Sequence, residues 1–124
     1  MSTYIDRRPK TILCDIDGTL IEHYENAYQQ LTRTPTLLPG VLEKFEDWDR
    51  KGYNIILITG RRENWRSETE KQLTKLGIFY DQLIMGVGGG PRILINDFKP
   101  DSKDPTAIAY CLDRNKGMLN LEEF

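Results

Sequence analysis

Apolar residues in this chain gather into four short runs, at residues 11–16, 54–59, 82–85 and 92–96. Within them the apolar positions are consecutive rather than alternating, as in Ile55-Ile56-Leu57-Ile58, which predicts strands covered on both faces. Between the runs the period changes to that of a helix. Val41, Leu42, Phe45 and Trp48 form one stripe over 41–51, with Glu43, Glu46 and Asp47 opposite and Gly52 as the stop. A second helix over 63–76 carries Trp65, Leu73 and Leu76 and is closed by Gly77. Asp104-Pro105-Thr106 reads as a third helix start, with Asp104 as cap, Pro105 at the first helical position, and Ile108, Ala109 and Leu112 turned to the sheet. Helices interleaved with continuous strands predict an α/β fold with a mostly parallel central sheet and right-handed crossovers.

Two stretches break this pattern. Residues 19–39 keep no sustained period of either kind, and Pro35 and Pro39 interrupt the latter part. So long an excursion directly after a strand predicts a flap over whatever that strand presents. Gly86-Val87-Gly88-Gly89-Gly90 lacks the Lys-Ser/Thr of a phosphate loop and reads as a flexible connector. Residues 1–10 are a polar lead-in, and the tail from Leu119 to Phe124 either pairs as an edge strand or packs.

Length and charge narrow the field. The 124 residues suffice for one domain, 1–124, and leave no room for a second domain to cover a substrate. A net charge of −2 supplies no general attraction to nucleic acid or to an acidic membrane. No run approaches a membrane span, Met1 to Lys10 lacks the apolar core of a signal peptide, and the two cysteines, Cys14 and Cys111, read as reduced thiols. A cytoplasmic protein with no membrane partner is expected.

The chemistry lies at the strand ends. Asp15-Ile16-Asp17-Gly18-Thr19 closes the first run, Thr59-Gly60-Arg61 the second and Asp97 the fourth. In a parallel sheet these ends share one rim, so groups far apart in sequence converge. A carboxylate there can attack phosphorus, and a second can protonate the leaving oxygen and then activate water. Asp15 is the candidate nucleophile and Asp17 the acid/base. Attack of anion on anion needs a cation, and an oxygen-only site from Asp15, Asp97 and a main-chain carbonyl suits Mg²⁺. Thr59 and the Gly60 amide can donate to the phosphoryl group, and Asp101 can orient the loop or a metal-bound water. The competing readings are a plain turn at Asp15–Gly18 or a calcium loop, and the latter fails because Thr19 and Asn26 stand where its acids belong.

Asp15-Ile16-Asp17-Gly18-Thr19, Ile58-Thr59-Gly60-Arg61 and Asn96-Asp97-Phe98-Lys99-Pro100-Asp101 resemble the first, second and fourth motifs of the haloacid dehalogenase-like (HAD) hydrolase superfamily, over residues 11–101. The resemblance implies a three-layer Rossmann-like phosphatase without a cap domain, acting through an aspartyl-phosphate with Mg²⁺ as cofactor. By position it makes Asp15 nucleophile and metal ligand, Asp17 acid/base and metal ligand through its carbonyl, Thr59 a phosphate binder and Asp97 a metal ligand. The family's usual lysine is missing from its place. Lys99, two residues beyond Asp97, is the first candidate to replace it and Arg92 the second.

Partners follow from the same rim. Arg61, Arg62 and Arg66 are either a solvated helix face or a site for a second anionic group of the substrate. His23, Tyr24 and Tyr28 lie in the flap, within reach of a substrate or exposed. Capless relatives act on large or enclosed substrates, or close the site by oligomerising. The resemblance therefore implies either a homo-oligomer working on a sugar phosphate or related metabolite, or an enzyme for a phosphorylated end of something larger. A nucleic-acid 3′-phosphatase, a phosphotransferase and a non-catalytic phosphate-binding module are the alternatives.

Overall fold

The first three apolar runs become strands, β1 (Thr11–Asp15), β2 (Asn54–Ile58) and β3 (Gln82–Ile84). The structure, a computed structural model, describes residues 6–124, so the first half of the polar lead-in lies outside the described residues. All strands are parallel in the order β1-β2-β3, with Cys14, Leu57 and Leu83 in register across the sheet. Helix α1 (Ala27–Thr32) lies in the flap, α2 (Val41–Arg50) connects β1 to β2, and a 3-10 turn (Glu63–Trp65) followed by α3 (Arg66–Lys75) connects β2 to β3. This is the expected α/β parallel-sheet fold, and no cap is present among the described residues.

Strands added always on the same side, through crossovers of one hand, stack their helices on one face. Accordingly Val41, Phe45 and Trp48 of α2 and Leu73 of α3 share one core with Cys14, Leu57 and Leu83, all of them buried. The two-sided covering expected of the strands is not found. Leu13 is 48% and Ile84 43% exposed on the opposite face. That face depends on the chain after β3, and there the structure corrects two further expectations. Residues 92–96 form no strand, and Ile93 and Ile95 are 86% and 88% exposed. Residues 105–115 form no helix; Pro105 instead bridges to Phe98, and Ile108 stays exposed. A lone helix of about ten residues is not self-supporting in water, and a strand needs a paired edge. The first segment stays exposed, and the second meets the core only through Leu112 and the Tyr110 ring on Phe124.

The flap is rooted rather than loose. Glu22 N–H donates to Thr36 O at 2.9 Å and Leu38 N–H to Leu20 O at 2.9 Å, so its two ends pair and bury Leu20, Ile21 and Leu38. Inside it, α1 starts at Asn26, whose side chain accepts from the Gln29 amide at 2.9 Å. Its buried residue is the polar Gln30, which is why no apolar stripe marks this helix in the sequence. The tail packs: Lys44 Nζ donates to Leu121 O at 2.7 Å, Tyr53 Oη to Phe124 O at 2.6 Å, and the Phe124 ring stacks on Trp48.

Candidate active site at the carboxyl rim of the sheet

Asp15 is the last residue of β1 and pairs in register with Ile58, the last of β2. Thr59 and Gly60 therefore begin on the neighbouring strand just where Asp15-Ile16-Asp17 leaves the sheet. Gly18 turns the chain there with φ +88°, and its amide donates to Ile21 O at 2.7 Å. This turn carries Thr19 back to Asp15, its hydroxyl 3.5 Å from a carboxylate oxygen. Burial raises the pKa of Asp15 above the usual aspartate value. The Asp17 charge adds to the rise, while the Ile16 amide hydrogen bond, the Arg92 charge and Thr19 oppose it. A half-buried carboxylate with few donors is poorly solvated when ionised, a favourable state for a nucleophile.

Asp17 is held differently. Arg61 Nε donates to its Oδ2 at 2.9 Å and Nη2 to its Oδ1 at 2.7 Å, a two-point grip. The Arg61 side chain is only 3% exposed and that of Asp17 17%. Arg61 is therefore neither solvated helix face nor a free contact for substrate. Its Nη1 also donates to Thr69 Oγ1 at 3.1 Å and to Gln72 Oε1 at 2.7 Å on α3. Thr59 is fully buried, and its hydroxyl accepts the Arg61 amide at 3.1 Å, which leaves the hydroxyl proton to donate elsewhere. The glycine run is no idle connector at its start. Val87 N–H donates to Thr59 O at 2.9 Å and Gly86 N–H to Arg61 O at 2.7 Å, and a Cβ on Gly60 would stand 3.3 Å from Gly88 O.

The remaining candidates are scattered. Arg66 bonds Glu63 at 2.5 Å and Leu83 O at 2.9 Å, tying the start of α3 to β3. Arg62 is exposed at the entry of the 3-10 turn. Lys99 pairs with Asp6 at 2.9 Å, whereas it is Arg92 whose charge acts on Asp15. Asp97 lies exposed in the irregular segment, its carbonyl accepting from Thr106 Oγ1, and Asp101 occupies a turn with φ 65°. Among the described residues no three acidic, histidine or cysteine side chains gather closely enough to hold a metal ion. Asp15, Asp17 and Asp97 are thus not brought together, and the donor set implied for Mg²⁺ is met at the rim only by the first two.

A cleft of about 300 Å³ opens beside Asp17, lined by His23, Tyr24 and Asn26 of the flap and by Gly60, Arg61 and Trp65. A second depression, of about 440 Å³ along Ser67, Lys71 and Lys75 of α3, contains none of the candidate residues. Tyr28 lines neither and is 75% exposed. Sequence reasoning missed Thr69, Gln72, Gln30 and Asn115. The first two lie on the same helical stripe as Trp65, Leu73 and Leu76, so completing that stripe would have marked them as buried polar residues. Asn115 holds the flap by accepting from His23 N–H at 2.7 Å, a contact 92 positions apart that no local pattern announces.

Comparison with known proteins places the fold in a family. The profile of the HAD superfamily, subfamily IIIB (acid phosphatase), matches residues 2–110. One similar solved structure is a chain of the Pnkp1/Rnl/Hen1 complex, 33% identical with a TM-score of 0.56 over 67% of this chain and 30% of that one. A second, from the Pnkp1/Rnl/Hen1 RNA repair complex, is 35% identical with a TM-score of 0.55 over 67% of this chain and 28% of that one. The chain thus spans less than a third of the length of these relatives. No curated protein matches it. Among the described residues no helix is long and apolar enough to cross a membrane.

Proposed function

The chain belongs to the HAD superfamily, subfamily IIIB, and from that premise we propose that it is a Mg²⁺-dependent phosphomonoester hydrolase acting through an aspartyl-phosphate on Asp15. The observation that carries this reading is the pairing of two unlike carboxylates at one strand end. Asp15 is half-buried with a raised pKa, and Asp17, two residues on, is gripped at both oxygens by Arg61.

Asp15 attacks phosphorus as the ester P–O bond breaks, and Asp17, having first taken a proton from solvent at an oxygen released from Arg61, gives that proton to the leaving oxygen. Asp17, now a carboxylate, takes a proton from the water that attacks the phosphorus, and the P–O bond to Asp15 breaks to release phosphate. Thr59 and the Gly60 amide donate to the phosphoryl oxygens. Arg92 is the cation best placed to offset the charge at Asp15 and takes precedence over Lys99, which pairs with Asp6. Of the implied ligands only Asp15 and the Asp17 carbonyl stand at the rim to hold Mg²⁺, which would lower the repulsion between carboxylate and phosphate, and Asp97 lies apart from them.

The substrate is a phosphomonoester of small-metabolite type, with self-association closing the site. A second reading, a nucleic-acid 3′-phosphate, is favoured by two observations. The cleft beside Asp17 offers His23, Tyr24 and Trp65, rings on which a base can stack, and one similar structure comes from an RNA repair complex.

The test is phosphate release from sugar phosphates, nucleotides and 3′-phosphorylated oligonucleotides, with Mg²⁺ or with EDTA, and with Asp15→Asn beside the wild type. Metal-dependent release that vanishes in the variant is expected, and the best substrate assigns the class. Release that survives Asp15→Asn would overturn the mechanism.

A further inference from the structure

The buried polar and charged residues among those described are Gln30, Thr59, Arg61, Thr69 and Gln72, and all five belong to one hydrogen-bonded chain. It starts at Asp17, passes through Arg61 to Thr69 and Gln72, and leaves Gln72 for the flap. Gln72 Nε2 donates to Gln30 O at 3.0 Å and to Leu31 O at 3.2 Å, both on α1. The Gln30 side chain carries the chain on, donating to Glu22 O at 2.8 Å and accepting from Tyr24 N–H at 2.8 Å. No buried side-chain nitrogen or oxygen among the described residues lacks a partner.

The polarity of this chain is set by chemistry. A guanidinium only donates and a main-chain carbonyl only accepts, so the group between Arg61 and α1 must accept on one side and donate on the other. Gln72 does both, 8% exposed within the buried stripe of α3. We propose that Gln72 is a positioning residue through which the flap helix α1 sets the orientation of the Asp17 carboxylate by way of Arg61. The inference rests on the phosphatase reading, in which Asp17 is the proton donor to the leaving group. In a buried chain without slack, a displacement of α1 reaches Asp17 through two rigid planar groups, the amide and the guanidinium.

Gln72→Glu tests it with a near-isosteric change. The carboxylate still accepts from Arg61 but can no longer donate to Gln30 O and Leu31 O, so the coupling is severed at the flap end. The readout is kcat/KM on two substrates, an alkyl phosphate, whose alkoxide leaving group needs a proton, and p-nitrophenyl phosphate, whose phenolate does not. A mispositioned acid predicts a loss of about tenfold or more on the alkyl ester and less than about threefold on the aryl ester. Gln30→Met, which loosens α1 at its other anchor, should reproduce the selective loss, and circular dichroism confirms that each variant is folded.

Equal losses on both substrates would show a merely structural role and overturn the inference, and so would unchanged rates on both. If Gln72→Glu proves unfolded, the outcome for Gln30→Met decides alone. Wild-type release that does not depend on Asp15 on either substrate would instead overturn the phosphatase reading itself, and this inference with it.

Discussion

Replacing Arg61 by Met keeps an apolar stem of similar thickness and removes the guanidinium with its charge and its donors. The structure then leaves the Asp17 carboxylate without the 2.9 Å and 2.7 Å bonds that hold it, and Gln72 Oε1 without its 2.7 Å donor. Breaking a buried ion pair from one side costs about 3–5 kcal/mol, because the remaining charge stays buried without compensation. The Asp17 side chain is 17% exposed, so water repairs part of the loss, and the lower end, about 3 kcal/mol, applies. That is roughly a hundredfold in the folding equilibrium. Urea unfolding followed by the fluorescence of Trp48 and Trp65 reads it directly. Asp17→Asn in the same background completes the cycle: the double variant should lose less than the sum of the singles by about 1–3 kcal/mol, since each single leaves the other partner stranded. A loss under about 1 kcal/mol for Arg61→Met, or additivity within about 0.5 kcal/mol, would refute the claim that this pair is a buried, coupled grip.

Other outcomes follow from the same coordinates. Burial holds the folded-state pKa of Asp15 above its ordinary 3.8, so its ionisation works against the fold, a cost absent below the unfolded value and complete above the folded one. Asp15→Asn should therefore abolish turnover and yet raise the melting temperature at pH 7, with the gain fading as the pH falls through the raised folded-state value and absent below the ordinary 3.8; a lower melting temperature at pH 7 would contradict this. Cys14 is buried, its thiol pushed up to about 12 mainly by desolvation, while Cys111 is exposed. Titration with a thiol reagent at pH 8 should find one reactive group in the native chain and a second only after unfolding, and two fast thiols would refute the burial. At Gly117, with φ +80°, a Cβ would stand 2.2 Å from Pro39 O, whereas at Gly86, with φ +70°, it would meet nothing within 4 Å. Gly117→Ala should cost well over 2 kcal/mol and Gly86→Ala only about 1 kcal/mol of backbone strain, and equal urea midpoints would show that Gly117 is not packed as described.

The local pattern alone determined the three strands, α2 and α3, though not α1, and the rim that carries the candidate site. Consecutive apolar residues in 11–16 and 54–59 marked strands, the stripe of Val41, Phe45 and Trp48 marked α2, and the polar residues at the ends of β1 and β2 marked the rim. These signals are short-range and survive without knowledge of what packs where. Asp15 beside Thr59 follows from them, because parallel strands bring their ends to one edge.

Tertiary structure decided the rest. Whether a run such as 92–96 becomes a strand depends on an edge to pair with, and whether 105–115 becomes a helix depends on a face to bury, and neither is written in its own period. The direction of Arg61 is of the same kind. Its neighbours Arg62 and Arg66 face solvent or local acids, while Arg61 turns inward to a carboxylate 44 positions earlier because Thr69 and Gln72 on α3 complete its donors there. A buried guanidinium is stable only where all its partners arrive together, and that arrival is a property of the folded chain rather than of any segment of it.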